Sequence, residues 1–398
     1  MLSPFLAILG VVLSFCAVFS IYYYSSIDAT KYFFLPIFFL ILYYTVIIQF
    51  TQRQDYQPRS VRLALKKSLG KYIFWFSLIG CLYAIYSTHP FYINFTPNTR
   101  VMLEWFVKLY ALAGLPYFFF VERYRYGSFE ILNDSYLKFI SFLRLVFVRN
   151  WKRLRYRLFV KGYKSLFLSW GLRIHFLPLM VEQVFMATVA VLGVLSNPSY
   201  EYTVLSIILL LISFMYLIDA TNASIGYLWE SFLTKTHFRA IDPYPFHWIV
   251  VLMCYFPFIK YAQDFVKFPK GNLETALVIL HPTFEIVVNA ATALALLGIV
   301  LSTTCLGFSY SNLSYKKIQT KGPYAVVRHP GTVFKLIFFF LIAFRFKQSY
   351  AFPVIMSYIF WAGVYLTRAV CEERFLKQFQ EYRDYMAVTR YRFIPGVI

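Results

Sequence analysis

The sequence predicts an all-α fold, a polytopic membrane bundle of about ten transmembrane helices that ends in a cytoplasmic amphipathic helix. Of the 398 residues, 60% are apolar or aromatic and only 14% are charged, whereas about a quarter of the residues of a soluble domain are charged. The apolar residues fall in blocks about 20 residues long, which is the length that a helix needs to cross a bilayer core of about 30 Å. Lysine and arginine concentrate in the loops between these blocks, as the positive-inside rule expects.

Ten apolar blocks are predicted as spans, and the seventh and ninth are short, which leaves open that these two are tilted, broken or only partly inserted. The first block has no basic leader or cleavage site, so it is interpreted as a retained span. The predicted spans cover residues 4–24, 32–50, 72–88, 101–121, 174–195, 202–219, 246–260, 282–308, 332–345 and 350–370.

The basic residues predict the orientation of these spans. With ten crossings and an inside N-terminus, 29 of the 39 lysines and arginines lie in cytoplasmic segments and six lie on the opposite face. The remaining four, Lys108, Lys260, Lys335 and Arg368, fall within spans or at their ends. This bias predicts a multi-pass integral membrane protein with both termini in the cytoplasm.

The longest non-spanning stretch, residues 122–173, mixes aromatic residues with twelve lysines and arginines. That pattern is typical of amphipathic helices that lie on an anionic leaflet. The chain is therefore divided into four parts: a four-span region (1–121), this basic segment (122–173), a middle membrane region (174–280) and a C-terminal core (281–398).

Several partner and cofactor classes are excluded at this point. The net charge of +21 is explained by the basic loops, so no nucleic-acid partner is expected. The five cysteines have no CxxC spacing, so neither a disulfide framework nor a metal site is expected. The oligomeric state is left open.

Charged residues inside spans are candidates for function because they are costly to place in a bilayer. Glu104, Glu182 and Glu285 fall in apolar blocks, and Asp219 stands at the inner end of the sixth block. An interhelical hydrogen bond or ion pair explains most of them. Glu285 is the exception, because Asn289 follows it by one helical turn near the C-terminal motifs, so it is a candidate catalytic residue.

Those motifs lie between residues 316 and 395. The stretch GPYAVVRHP (322–330) precedes the ninth span, with Pro330 expected to start the helix. The stretch CEERFLKQFQEYRDYMAVTRYRFIP (371–395) follows the tenth span. A hairpin of spans nine and ten brings both stretches to one leaflet within reach of each other, and the spacing of Phe375, Phe379 and Tyr382 predicts an amphipathic helix there.

In the order and spacing of these motifs, residues 280–398 resemble the isoprenylcysteine carboxyl methyltransferase and phospholipid methyltransferase superfamily. The resemblance implies a cytoplasmic site for S-adenosylmethionine (SAM) and a lipidic or prenylated substrate that arrives from the bilayer. Arg390 and Arg392 would lie near the acceptor or close the site. The cofactor pocket would be formed by Tyr324, Arg328, His329, Pro330, Glu372 and Glu373.

Two positions depart from the family pattern. Thr332 and Phe334 stand where the family usually has tyrosine and glycine. Phe334 either fills the cofactor groove or packs against a neighbouring span. Packing against a neighbouring span is expected, because the motifs on either side of Phe334 match the family pattern.

Two other functions are kept open by the sequence. A sterol-type membrane reductase that uses NADPH suits the chain length and the closing RYRFIPGVI, but the GPY, RHP and EER stretches are closer to the methyltransferases. A non-enzymatic lipid-binding protein with a decayed site would explain Thr332 and Phe334. The methyl acceptor and the role of the first six spans are not specified by these residues.

Overall fold

The protein is an integral membrane helical bundle. The computed structural model describes residues 3–25, 28–51, 58–124, 134–159, 163–197, 199, 203–231, 233–234, 236–266, 282–343 and 352–397. About 79% of the described residues are helical, and seven of the described helices are long and apolar enough to cross a membrane. Two shorter apolar helices accompany them.

The helices are numbered in chain order over the described residues. The nine apolar helices, of which α2 and α13 are the two shorter ones, are α1 (Pro4–Tyr24), α2 (Leu35–Thr51), α3 (Val61–Thr88), α5 (Asn98–Tyr124), α8 (Tyr163–Leu195), α9 (Val204–Leu228), α12 (Pro282–Leu306), α13 (Pro330–Ala343) and α14 (Phe352–Leu376). The others are α4 (Pro90–Phe95), α6 (Ser135–Phe147), α7 (Trp151–Phe159), α10 (Pro245–Leu252), α11 (Phe258–Phe265) and α15 (Gln380–Val388).

Local sequence explains where several of these helices begin. The hydroxyls of Ser3 and Thr203 accept hydrogen bonds from backbone N–H groups in the first turns of α1 and α9. Asp134 caps α6 in the same way. These side chains satisfy donors that a helix leaves unpaired at its start. Pro330 begins α13, as predicted, because a proline in the first turn lacks only an N–H that has no partner there.

The predicted seventh span, residues 246–260, is a broken helix, which is one of the alternatives that its short length left open. The chain forms the short helices α10 and α11 here, and Pro257 lies in the break between them. Proline has no N–H for the helical hydrogen bond and its ring obstructs the preceding turn. Pro257 thus explains where the helix of this apolar block is interrupted.

Helix ends from across the chain meet at one face of the bundle. A Cβ added to Gly322 would lie 3.2 Å from Pro4, and the Arg328 backbone N–H donates to the Tyr391 carbonyl over 3.0 Å. The start of α1 and the tail after α14 therefore share this face. The Gln49 amide reaches the Leu233 carbonyl over 2.6 Å, which brings the end of α2 there as well.

A shared face for both ends requires an even number of crossings. Nine of the described helices are apolar, and seven of these meet the length and hydropathy of a complete span. The count of ten crossings therefore stays a prediction. That the shared face is cytoplasmic stays a prediction from the basic loops.

A two-stranded antiparallel sheet fixes two loops at this face. Strand β1 (Ala240–Ile241) follows α9 and pairs with β2 (Ser314–Tyr315), which follows α12. The Tyr315 ring stacks on Phe379 with ring centroids 4.1 Å apart, so the sheet also supports the tail. The predicted amphipathic helix through Phe375, Phe379 and Tyr382 is not continuous, because the chain turns at residues 377–379 and so separates α15 from α14. Tyr382 and Tyr385 of α15 pack against Phe375 in one apolar cluster.

The basic segment contains the expected amphipathic helices, α6 and α7, while its two ends belong to α5 and α8. Phe147 and Trp151 are largely exposed, as side chains that enter a leaflet would be. On the inner side, the fully buried Lys71 ammonium contacts the carboxylates of Glu122 and Asp134. This ion cluster joins α3, α5 and the start of α6.

The shared face can be tested by cysteine labelling in a variant without the five native cysteines. In sealed vesicles, Lys321→Cys and Ala387→Cys are expected to react together with an impermeant maleimide. Arg100→Cys is expected to react only in vesicles of the opposite orientation, because it starts α5 while Tyr117 near the other end contacts Ser231 on the shared face. Joint reaction of all three positions in one orientation would contradict this topology.

Candidate functional site

Glu373 at the end of α14 is the centre of a buried cluster, the Glu373 cluster, that includes Arg328, His329 and Arg392. The Glu373 carboxylate accepts hydrogen bonds from Arg328 Nε at 2.7 Å and from Arg392 Nη2 at 2.9 Å. His329 Nε2 lies 3.3 Å from the same carboxylate. Because the Glu373 side chain is only 1% exposed, each charge in this cluster depends on its partners. The predicted proximity of the RHP and EER stretches is confirmed by these distances.

The cluster also fastens the tail to the RHP stretch through the backbone. Arg328 Nη1 donates to the carbonyls of Thr389 and Arg390 over 2.9 and 2.5 Å. The backbone N–H of His329 donates to the Arg392 carbonyl over 3.1 Å. Arg390 therefore contributes its carbonyl here, while its side chain points to an exposed position.

A polar cavity of about 130 Å³ adjoins this cluster on the shared face. It is bounded by the RHP stretch, the loop after α12, the start of α13 and the last turns of α14. Residues from all four line it: Thr303, Leu306, Tyr310, Ser311, Asn312, Tyr324, Arg328, His329, Gly331, Thr332, Lys335, Tyr365, Arg368, Ala369 and Glu372.

Of the predicted cofactor-binding residues, Tyr324, Arg328, His329 and Glu372 line this cavity. Glu373 does not, because its oxygens face the arginines and His329 of the cluster. Pro330 supports the site as the first residue of α13. The hydroxyl of Tyr385 holds the Tyr324 carbonyl over 2.6 Å, which fixes the turn that carries Tyr324.

Three cavity residues, Asn312, Lys335 and Arg368, were not among the predicted site residues. Asn312 is held by the hydroxyls of Tyr227 and Tyr255, at 2.9 and 3.0 Å. Its side-chain oxygen in turn accepts a hydrogen bond from Arg368.

Lys335 is oriented by Asp219 on α9, 3.3 Å away. The sequence carried a signal for these two cations, because Lys335 and Arg368 are basic residues in apolar helices, where a charge is costly.

A close approach of two backbones makes this arrangement possible. A Cβ on Gly226, near the end of α9, would overlap the carbonyl oxygen of Tyr310. Lys316 Nζ donates to the Gly226 carbonyl and, over 3.2 Å, to that of Phe308. Burial lowers the pKa of Lys316 to about 7. The loop after α12 is thus pressed onto α9, and Asn312 is carried into the cavity.

Thr332 and Phe334 have different positions relative to the cavity. Thr332 lines it, while Phe334 faces the cluster of Met215, Leu296 and Phe338 between helices. A Cβ on Gly298 of α12 would overlap the Phe334 ring. Phe334 therefore packs into a notch at Gly298, which agrees with the expectation that it contacts a neighbouring span.

The charged residues predicted inside other spans mostly have structural partners. Glu182 accepts from the backbone and side chain of Asn98 over 3.2 and 2.8 Å. Glu104 pairs with Lys108 one turn away at an exposed position. Glu285 lies on α12, but its side chain falls outside the described residues, so its catalytic role stays a prediction.

Comparison with known proteins adds no assignment: no protein-family model, no curated protein and no solved structure matches this chain.

The notch at Gly298 can be tested by truncation. Phe334→Ala is expected to lower the free energy of unfolding in detergent by about 1–3 kcal/mol, as for other substitutions that lose packing. Ile337→Ala on the same helix is the control, because Ile337 is exposed and its loss is expected to cost under about 0.5 kcal/mol. Equal melting temperatures for the two variants would contradict the packing described here.

Proposed function

We propose that the protein is an integral membrane methyltransferase that uses SAM and acts on a lipidic or prenylated acceptor, such as an isoprenylcysteine carboxylate. The observation that carries this proposal is the polar cavity on the shared face. It combines the cations Arg328, Lys335 and Arg368 with the carboxylate of Glu372, and the residues of the resembling motifs help to build it.

The charges of this cavity suit a zwitterionic ligand. The carboxylate of the methionine part of SAM matches Arg368 and Lys335, and its ammonium or ribose hydroxyls match Glu372. Pockets that enclose a drug-sized ligand have volumes of about 300–1,000 Å³, so 130 Å³ accepts only one end of the cofactor. The rest would extend past Glu372, whose side chain is 48% exposed.

Methyl transfer asks little of the protein beyond alignment. SAM supplies a methyl group that is already activated by its sulfonium. The residues of this chain would orient the two reactants and exclude water. A carboxylate or thiolate acceptor needs no strong base, which fits a site built of cations, hydroxyls and one carboxylate. Arg390 and Arg392, in the tail that covers the RHP stretch, remain the proposed residues near the acceptor.

The same three cations also favour the second candidate, a reductase that binds NADPH. The phosphates of that cofactor are anions that arginine and lysine bind well. The two proposals therefore differ in the cofactor that the cavity selects.

Calorimetry on the protein purified in detergent is expected to detect SAM binding and to detect none with NADPH. Glu372→Ala is expected to weaken SAM binding by about tenfold or more, the value of one hydrogen bond to a charged group. Because the Glu372 side chain is half-exposed, this variant is expected to keep the fold, which its melting temperature checks.

Asp384→Ala is the matched control, because this carboxylate lies in the tail, is exposed and does not line the cavity. Binding of NADPH with none of SAM would overturn the proposal in favour of the reductase. Binding of neither cofactor would favour a non-enzymatic membrane protein.

A further inference from the structure

A second and larger cavity lies apart from the motifs of the proposed methyl-transfer site. It measures about 470 Å³ and is bounded mainly by α2, α3, α5 and α8. Its walls are formed almost entirely by aliphatic and aromatic side chains, including Phe38, Ile79, Leu103, Phe118 and Leu177. The size is within the range of natural small-molecule sites.

This apolar cavity opens sideways towards the bilayer. Its inner wall is buried, with Leu103 and Leu177 each 1% exposed. On the outer side, Leu42 of α2 is 64% exposed and Leu109 of α5 is 46% exposed. A hydrocarbon chain can therefore enter between α2 and α5 without crossing the polar face of the protein.

One end of the apolar cavity carries polar groups, and some of their atoms have no partner in the described part of the chain. Arg173 is 5% exposed. Its Nε donates to the Tyr227 carbonyl over 3.2 Å and its Nη2 binds Glu230, but Nη1 is buried without a hydrogen bond. The same holds for Trp229 Nε1 and Thr45 Oγ1. A buried donor without a partner is costly, so these atoms indicate a ligand with acceptor groups.

The charge at this end is nearly balanced. Glu230 neutralises Arg173, and burial lowers the pKa of His237 to about 4 against the opposing effect of Glu230, so this imidazole is neutral near pH 7. The spare groups are therefore hydrogen-bond donors beside a compensated ion pair. They match a hydroxyl, a carbonyl or a carboxyl group better than a multiply charged phosphate.

We propose that this cavity binds a single-chain lipid, with the chain between α2, α3 and α5 and the polar end on Arg173 and Trp229. A group the size of water takes up about 30 Å³. The cavity of 470 Å³ thus holds about 15 such groups, enough for one long chain and too few for the two chains of a phospholipid.

Tyr227 separates this site from the polar cavity. Its carbonyl accepts from Arg173, and its hydroxyl accepts from the backbone N–H of Asn312 over 2.9 Å. Tyr227 therefore lies between the polar end of a lipid bound here and the polar cavity. That this lipid is the methyl acceptor would rest on the proposed function, whereas the binding of the lipid does not.

The test uses an analogue of palmitic acid that carries a diazirine and an alkyne, with the full chain in detergent. Photolabelling is expected on peptides of α2 and α5 that line the cavity. Hexadecanol is expected to compete, while hexadecane, which lacks a polar end, and a two-chain phosphatidylcholine are not. No SAM or NADPH is present, so failure here is independent of failure of the proposed function.

Two pairs of variants locate the site. Ala113→Phe places a ring in the cavity and is expected to lower labelling at least tenfold, while Ala111→Phe, exposed on the same helix but outside the cavity, leaves it unchanged. Trp229→Phe removes the indole N–H together with one of the two fused rings, and it is expected to weaken competition by hexadecanol about threefold to tenfold, the range for one hydrogen bond. Thr45→Val tests the hydroxyl in the same way.

Three results would overturn the inference. They are equal labelling of Ala113→Phe and the parent, equal competition by hexadecane and hexadecanol, and labelling confined to peptides that do not line the cavity.

Discussion

The buried carboxylate of Glu373 is the interaction on which the polar site depends. It stands at the end of α14 and accepts hydrogen bonds from Arg328 before α13 and from Arg392 in the tail. Removal of one partner from a buried ion pair costs about 3–5 kcal/mol, because it leaves an uncompensated charge. Without Glu373, the two guanidinium groups would repel each other, and the RHP stretch would lose its ion pair with the end of α14. The cavity beside Glu372 exists because these three segments are held together.

Much of the fold could be predicted because membrane helices must satisfy two simple constraints, hydropathy and length. Those constraints do not locate a break: the short length of the block 246–260 left a broken helix open, but it did not specify that the interruption lies between Leu252 and Phe258. They also miss polar extensions, and α3 begins at Val61 and α8 at Tyr163, about ten residues before the predicted spans. The extra turns carry Arg62, Lys66 and Lys164, which lowered the apparent hydropathy of these helix ends.

The candidate site was predictable only where its residues lie in a local pattern. Arg328, His329 and Glu372 belong to two short stretches, and the hairpin between them is visible in the hydropathy. Asn312 enters through a long-range contact, the approach of Tyr310 to Gly226, which no periodicity encodes. The apolar cavity is likewise a consequence of how α3 and α5 pack, and its lining is indistinguishable from ordinary core residues in the sequence.

We expect the Glu373 cluster to act as a unit, and a double-mutant cycle tests this expectation most directly. Arg328→Met and Glu373→Gln are each expected to lower the free energy of unfolding in detergent by about 3–5 kcal/mol. The double variant is expected to lose little more than either single variant, because each change removes the same interaction. Losses that add in the double variant would contradict the account, since they would show that the two residues stabilise the protein independently.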